Sequence, residues 1–138
     1  MELINRTHQK IRFSEVDPLG IVWHGHYVKY MEDGREAFGE AFNLSYTDFY
    51  DAGLIVPIVK VDVNYKKDLK YRDTIMIETR YIDSPAAKIL FEYRIYNNAT
   101  GELVTTGKTT QVFLNKDRQL LLSIPPMFEQ WKRQWNLI

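Results

Sequence analysis

The chain has 138 residues, no cysteine, and 18 acidic against 18 basic side chains. That length supports one domain, residues 1–138, with an ordinary core. Zero formal net charge gives no bulk attraction to nucleic acid or an anionic membrane, and the missing cysteines exclude disulfides, thiolate catalysis and Cys-type zinc sites.

Residues 8–16 (HQKIRFSEV) place Ile11, Phe13 and Glu15 on one face and predict a first strand. A loop follows, turned by Pro18 and Gly20. From Tyr27 to Phe42 the apolar positions recur at spacings of three and four: Tyr27, Tyr30/Met31, Gly34, Ala37/Phe38, Ala41/Phe42. Charged residues fill the rest of the circumference, so this segment predicts an amphipathic helix. Gly34 falls on the apolar stripe, where a glycine costs about 1 kcal/mol against alanine; a close approach of the sheet backbone there is expected. Ser45 opens a short second helical turn that Gly53 ends.

Alternation then predicts four strands. In 54–67, Val59, Val61, Val63 and Tyr65 share the apolar face of a half-buried strand. In 74–82 the face is Ile75, Ile77, Thr79 and Tyr81; in 88–96 it is Ile89, Phe91, Tyr93 and Ile95. Asn97 to Gly101 has hairpin-turn composition, and 102–114 is the last strand. Pro125-Pro126 opens a terminal helix carrying Phe128, Trp131 and Trp135, a large apolar surface for so small a domain that self-association is expected to bury. Strands with one apolar face each need a partner layer, so the sheet must pack on the 27–42 helix. The fold class expected is α+β, an antiparallel sheet with one long helix. No run reaches the length of a membrane span, and MELINRTHQK has no apolar signal core, so a cytoplasmic location is expected.

The chemistry concentrates before the helix. Its start, Trp23-His24-Gly25-His26, offers only Gly25 as a conventional cap. Free N–H groups at the positive end of the helix dipole suit a negatively charged oxygen. Asp17 lies just upstream, where the same dipole favours its ionised form, suited to a base or nucleophile. Its alternative reading is a plain turn initiator before Pro18. His24 and His26 form an H-x-H pair, but spacing places no third or fourth metal ligand, so no metal is assigned. Glu32 and Glu36 read as a solvated helix face. Lys66, Lys67, Lys70 and Arg72 form the densest basic run; Asp68 and Asp73 within it weaken any nucleic-acid reading, and a solvated loop or a phosphate-binding site remain open.

The run Asp17-x-x-Gly20-Ile21-Val22-Trp23-His24-Gly25-His26-Tyr27 resembles the signature of hotdog-fold acyl-CoA thioesterases of the 4-hydroxybenzoyl-CoA thioesterase type. The departures are Phe13 where relatives often carry tyrosine, Trp23 for tyrosine, and His26 for asparagine or serine. The resemblance implies a sheet wrapped around one long central helix, with Asp17 as the catalytic carboxylate. It implies an oxyanion hole of N–H groups near Trp23, His24 and Gly25, with His24 orienting thioester or water. Acyl-CoA is the implied substrate, its phosphates held by Lys66, Lys67, Lys70 and Arg72. No metal or redox cofactor is implied. The partner is a second copy of the chain, in a homo-oligomer (dimer or tetramer) with sites shared between subunits. Whether Asp17 attacks the carbonyl or activates water stays open. The alternatives on this scaffold are a non-catalytic acyl-CoA-binding module, a thioesterase for acyl-carrier-protein thioesters, and a dehydratase using His24.

Overall fold

The computed structural model describes residues 2–138. Strand β1 (Ile4–Lys10) is followed by a 3-10 turn at Phe13–Glu15, helix α1 (His26–Phe42) and helix α2 (Tyr46–Asp51). Strands β2 (Ile58–Tyr65), β3 (Thr74–Ile82), β4 (Lys88–Asn97) and β5 (Leu103–Val112) then precede helix α3 (Pro126–Gln134). The five strands form one antiparallel sheet in the order β1-β3-β4-β5-β2. Helix α1 lies on β1, β3 and β4.

The core forms where the alternation placed it. Ile75, Ile77, Thr79 and Tyr81 of β3 and Ile89, Phe91, Tyr93 and Ile95 of β4 are all buried beneath Tyr30, Met31 and Phe38 of α1. At Gly34 a β-carbon would sit 2.4 Å from Thr79 Oγ1 and 2.7 Å from Ile77 Cγ2. The close approach expected there is real, but β3 side chains make it rather than sheet backbone.

Three expectations change. The first strand is Ile4–Lys10, not 8–16: the chain leaves the sheet at Ile11, and Glu15 folds back so that its carboxylate accepts the Arg12 N–H at 2.7 Å. The polar sequence INRTHQK carries little alternation and is recruited by backbone pairing with β3, from Ile4↔Arg80 to Lys10↔Thr74. Phe13, read as a buried strand position, is 75% exposed.

In β2 part of the apolar face is left uncovered by this chain, although Val63 packs against the core. Val59 is 58% and Val61 40% exposed, because this part of the edge strand β2 extends past α1, which the strand meets through Tyr65 at its end, and the register slips between Ile58 and Lys60.

The C-terminal aromatics, expected to add apolar surface for self-association, are instead packed internally. Phe128 and Trp131 are buried, and both Trp131 Nε1 and Trp135 Nε1 donate to the Phe42 carbonyl, at 2.7 and 2.9 Å. That carbonyl is one of those a helix C-terminus leaves without an intrahelical partner, so α3 closes the far end of α1.

Candidate active site

Asp17 opens a tight reversal between Val16 and Val22, which pair as an isolated antiparallel bridge. Its N–H donates to the Ile21 carbonyl at 2.8 Å, and its carbonyl accepts the Gly20 N–H at 3.0 Å. Gly20 holds φ +83°, in the left-handed region that favours glycine. The half-buried Asp17 side chain uses Oδ1 to accept the Leu19 N–H at 2.8 Å. Oδ2 accepts no hydrogen bond among the described residues.

The chain then turns into α1 with Gly25 as the N-cap and no side chain capping the helix. The Trp23 N–H is taken by the Glu15 carbonyl at 3.0 Å, and the Trp23 carbonyl accepts the His26 N–H at 3.0 Å. The His24 carbonyl accepts the Tyr65 hydroxyl at 2.9 Å. The N–H groups of His24 and Gly25 donate to no described residue. An unengaged pair of donors at a helix N-terminus is what an oxyanion needs. The Trp23 indole lies across Gly25, so closely that a β-carbon there would fall 2.1 Å from the ring. It also contacts both imidazoles, His24 at 5.0 Å and His26 at 5.5 Å between ring centroids. Tyr65 completes the cluster, its ring 5.2 Å from Tyr27 and 6.5 Å from His24. Burial, with Asp68 nearby, pushes the Tyr27 hydroxyl up to about 12.

The basic run lies against this loop. Ile21 bridges Lys70, and the Val22 N–H donates to the Leu69 carbonyl at 2.8 Å. Its members are not equivalent. Lys67 is ion-paired with Glu102. Lys67 and Lys70 line a small cleft of about 250 Å³ together with Asp68, Asp73 and Glu102, and those carboxylates make it a poor anion site. The Arg72 guanidinium sits 5.4 Å above the Tyr71 ring. Lys66 is exposed.

A larger groove of about 960 Å³ runs beside the second half of α1, between Glu32, Glu36 and Glu40 on one side and Val56, Pro57 and Gln111 on the other. Asp17 does not line it. Glu32 and Glu36 are exposed along its rim. Among the described residues no group of three His, Asp or Glu side chains converges as a metal site. No helix among them is long and apolar enough to cross a membrane.

Residues 11–132 match the family model of the thioesterase-like superfamily. The chain belongs to the thioesterase-like superfamily. A putative acyl-CoA thioesterase, YneP of Bacillus subtilis, is 30% identical over 128 residues, covering 93% of this chain and 92% of that protein. An acyl-CoA thioesterase of Haemophilus influenzae, YbgC, is 26% identical over 108 residues, 78% of this chain and 79% of its own. Among solved structures, a DHNA-CoA thioesterase from Staphylococcus aureus superposes with a TM-score of 0.82 at 26% identity, over 97% of this chain and 87% of that one. The architecture of this superfamily member is therefore the hotdog fold, with α1 as its central helix. The matched region contains the Asp17 reversal, the uncapped helix start and the basic run together.

Two contributors escaped sequence reading. Sequence pattern puts Tyr65 on the apolar face of a strand and Glu15 on the first strand. Neither has a local signal for its role, since Tyr65 meets His24 across 41 positions of chain.

Proposed function

We infer that this chain is an acyl-CoA thioesterase in which Asp17 drives hydrolysis and the free N–H groups of His24 and Gly25 hold the developing oxyanion. The observation that carries this reading is the pairing of an unengaged carboxylate oxygen, Asp17 Oδ2, with two unengaged N–H donors within residues 17–25. Thioester hydrolysis requires an attacker on the carbonyl carbon and donors for the oxygen that gains charge. Water adds across the C–S bond, which breaks to give a carboxylate and the CoA thiol. Asp17 either attacks the carbonyl directly, forming an anhydride that water then opens, or takes the proton of the attacking water. A thiolate leaves readily, so no strong general acid is required beside the sulfur.

Trp23 contributes its ring, which walls the site beside Gly25, rather than its N–H, which Glu15 occupies. His24 adds an exposed imidazole beside the same donors. Of the basic run, Lys66 and Arg72 are the cations we assign to the CoA phosphates, because Lys67 is already neutralised by Glu102 and Lys70 shares the acidic cleft with Asp68, Asp73 and Glu102. The working unit is a homo-oligomer, since β2 leaves Val59 and Val61 uncovered at an open sheet edge.

The test is a thiol-release assay across aromatic, short and medium aliphatic acyl-CoAs, with Asp17→Asn as the variant. Asparagine keeps the oxygen that accepts from Leu19, so the turn survives, while the reactive carboxylate is lost. A fall of about two or more orders of magnitude in kcat is expected, with the melting temperature unchanged. A folded Asp17→Asn protein at full rate removes Asp17 from the mechanism. Failure of the wild type on every thioester rejects the activity.

A further inference from the structure

Beyond the groups that touch substrate, the structure assigns Tyr65 as a positioning residue that aims the Gly25 N–H into the oxyanion site. This rests on the thioesterase reading above. The argument is one of peptide geometry. A trans peptide unit is planar, with its C=O and N–H pointing in opposite directions. The Tyr65 hydroxyl grips the His24 carbonyl at 2.9 Å. That bond fixes the plane of the His24–Gly25 peptide and turns the Gly25 N–H away from Tyr65. The preceding peptide is held in the same way, its Trp23 carbonyl accepting the His26 N–H at 3.0 Å and its His24 N–H facing the opposite side.

Neither carbonyl belongs to the helix, but the Trp23 carbonyl is held by the local turn to the His26 N–H, whereas the His24 carbonyl is held by Tyr65. His24 precedes the N-cap, so its carbonyl has no partner in the regular helix ladder. A glycine follows it, and with no β-carbon this peptide is the easiest in the loop to rotate. Tyr65 is well built for the task. It ends β2, whose pairing with β5 runs from Ile58↔Gln111 to Tyr65↔Thr105. Its ring is braced edge-on by Tyr27 at 5.2 Å, and Tyr27 is itself buried in α1. A sheet strand thus reaches across to the helix start and holds one peptide plane. Preorganised donors of this kind contribute to rate because they need not reorient as charge develops.

Tyr65→Phe isolates the hydroxyl while keeping the ring contacts. On the acyl-CoA that the wild type hydrolyses fastest, kcat should fall about 5- to 20-fold, the scale of one lost hydrogen bond at a preorganised site. KM should stay within about twofold. Two CoA ligands give a readout independent of turnover: a trifluoromethyl ketone analogue, whose hydrate mimics the tetrahedral intermediate, and a thioether analogue, which mimics only the ground state. The ketone should weaken by about the same factor as kcat, while thioether affinity and melting temperature hold. An unchanged kcat overturns the inference. So does a parallel loss in kcat, thioether affinity and melting temperature, which marks Tyr65 as general packing. A wild type that hydrolyses no acyl-CoA fails at the earlier step and rejects the thioesterase reading together with this one.

Discussion

Replacing Gly34 with alanine sets two effects of opposite sign against each other. Inside a helix alanine is favoured over glycine by about 1 kcal/mol, so propensity alone predicts a more stable protein. The added methyl, however, would meet Thr79 Oγ1 at 2.4 Å and Ile77 Cγ2 at 2.7 Å. Comfortable non-bonded contact begins near 3.5 Å, so about 1 Å of movement is required. Neither neighbour can supply it cheaply. Both are fully buried on β3, which is paired on one side with β1 and on the other with β4. Both are also β-branched, with little freedom at χ1. Overpacking of this kind costs about 1–3 kcal/mol, and two close contacts on braced, β-branched neighbours put this site in the upper part of that range, about 2–3 kcal/mol. Set against the propensity gain, the net is a loss of about 1–2 kcal/mol, read as a melting temperature lower by roughly 3–8 °C. Denaturant titration should show a lower midpoint at unchanged m-value. Adding Thr79→Ala should restore part of the loss, because it removes the nearer contact and a hydroxyl that has no hydrogen-bond partner. A Gly34→Ala protein as stable as wild type would refute the tight seating of α1 on β3.

Lys132 is 1% exposed, with Nζ donating to the Ser84 carbonyl at 2.6 Å and paired with Asp83 at 3.0 Å. Lys132→Ala should cost about 2 kcal/mol, below the range for a fully buried pair because Asp83 keeps solvent contact; thermal unfolding at wild-type temperature would contradict this. Light scattering should find at least a dimer, and Val61→Arg, placed on the uncovered face of β2, should shift it toward monomer with loss of turnover. A monodisperse monomer that still hydrolyses acyl-CoA would sink the shared-site proposal.

Local periodicity and local chemistry are legible in the chain alone. The spacing of Tyr30, Met31, Gly34 and Phe38 commits that segment to a helix with one buried face. The alternation through Ile75–Tyr81 and Ile89–Ile95 commits two strands to burying one side each. A helix start without a capping side chain, preceded by Asp17 and Gly20, is equally visible, because caps and turns are made by neighbours in the chain. Periodicity states which face is apolar but not what covers it. It takes the packing of α3 against α1 to cover the C-terminal aromatics internally, while Val59 and Val61 of β2 stay uncovered. Pairing with β3 likewise recruits the polar INRTHQK segment as an edge strand, through backbone hydrogen bonds that leave no mark in side-chain pattern. The same limit governs the site. That the Trp23 N–H is spent on Glu15, that Lys67 is neutralised by Glu102, and that Tyr65 grips the His24 carbonyl are all pairings between residues set apart in the chain. Such pairings follow from where the strands and the helix come to rest against each other, and a local pattern holds no information about that.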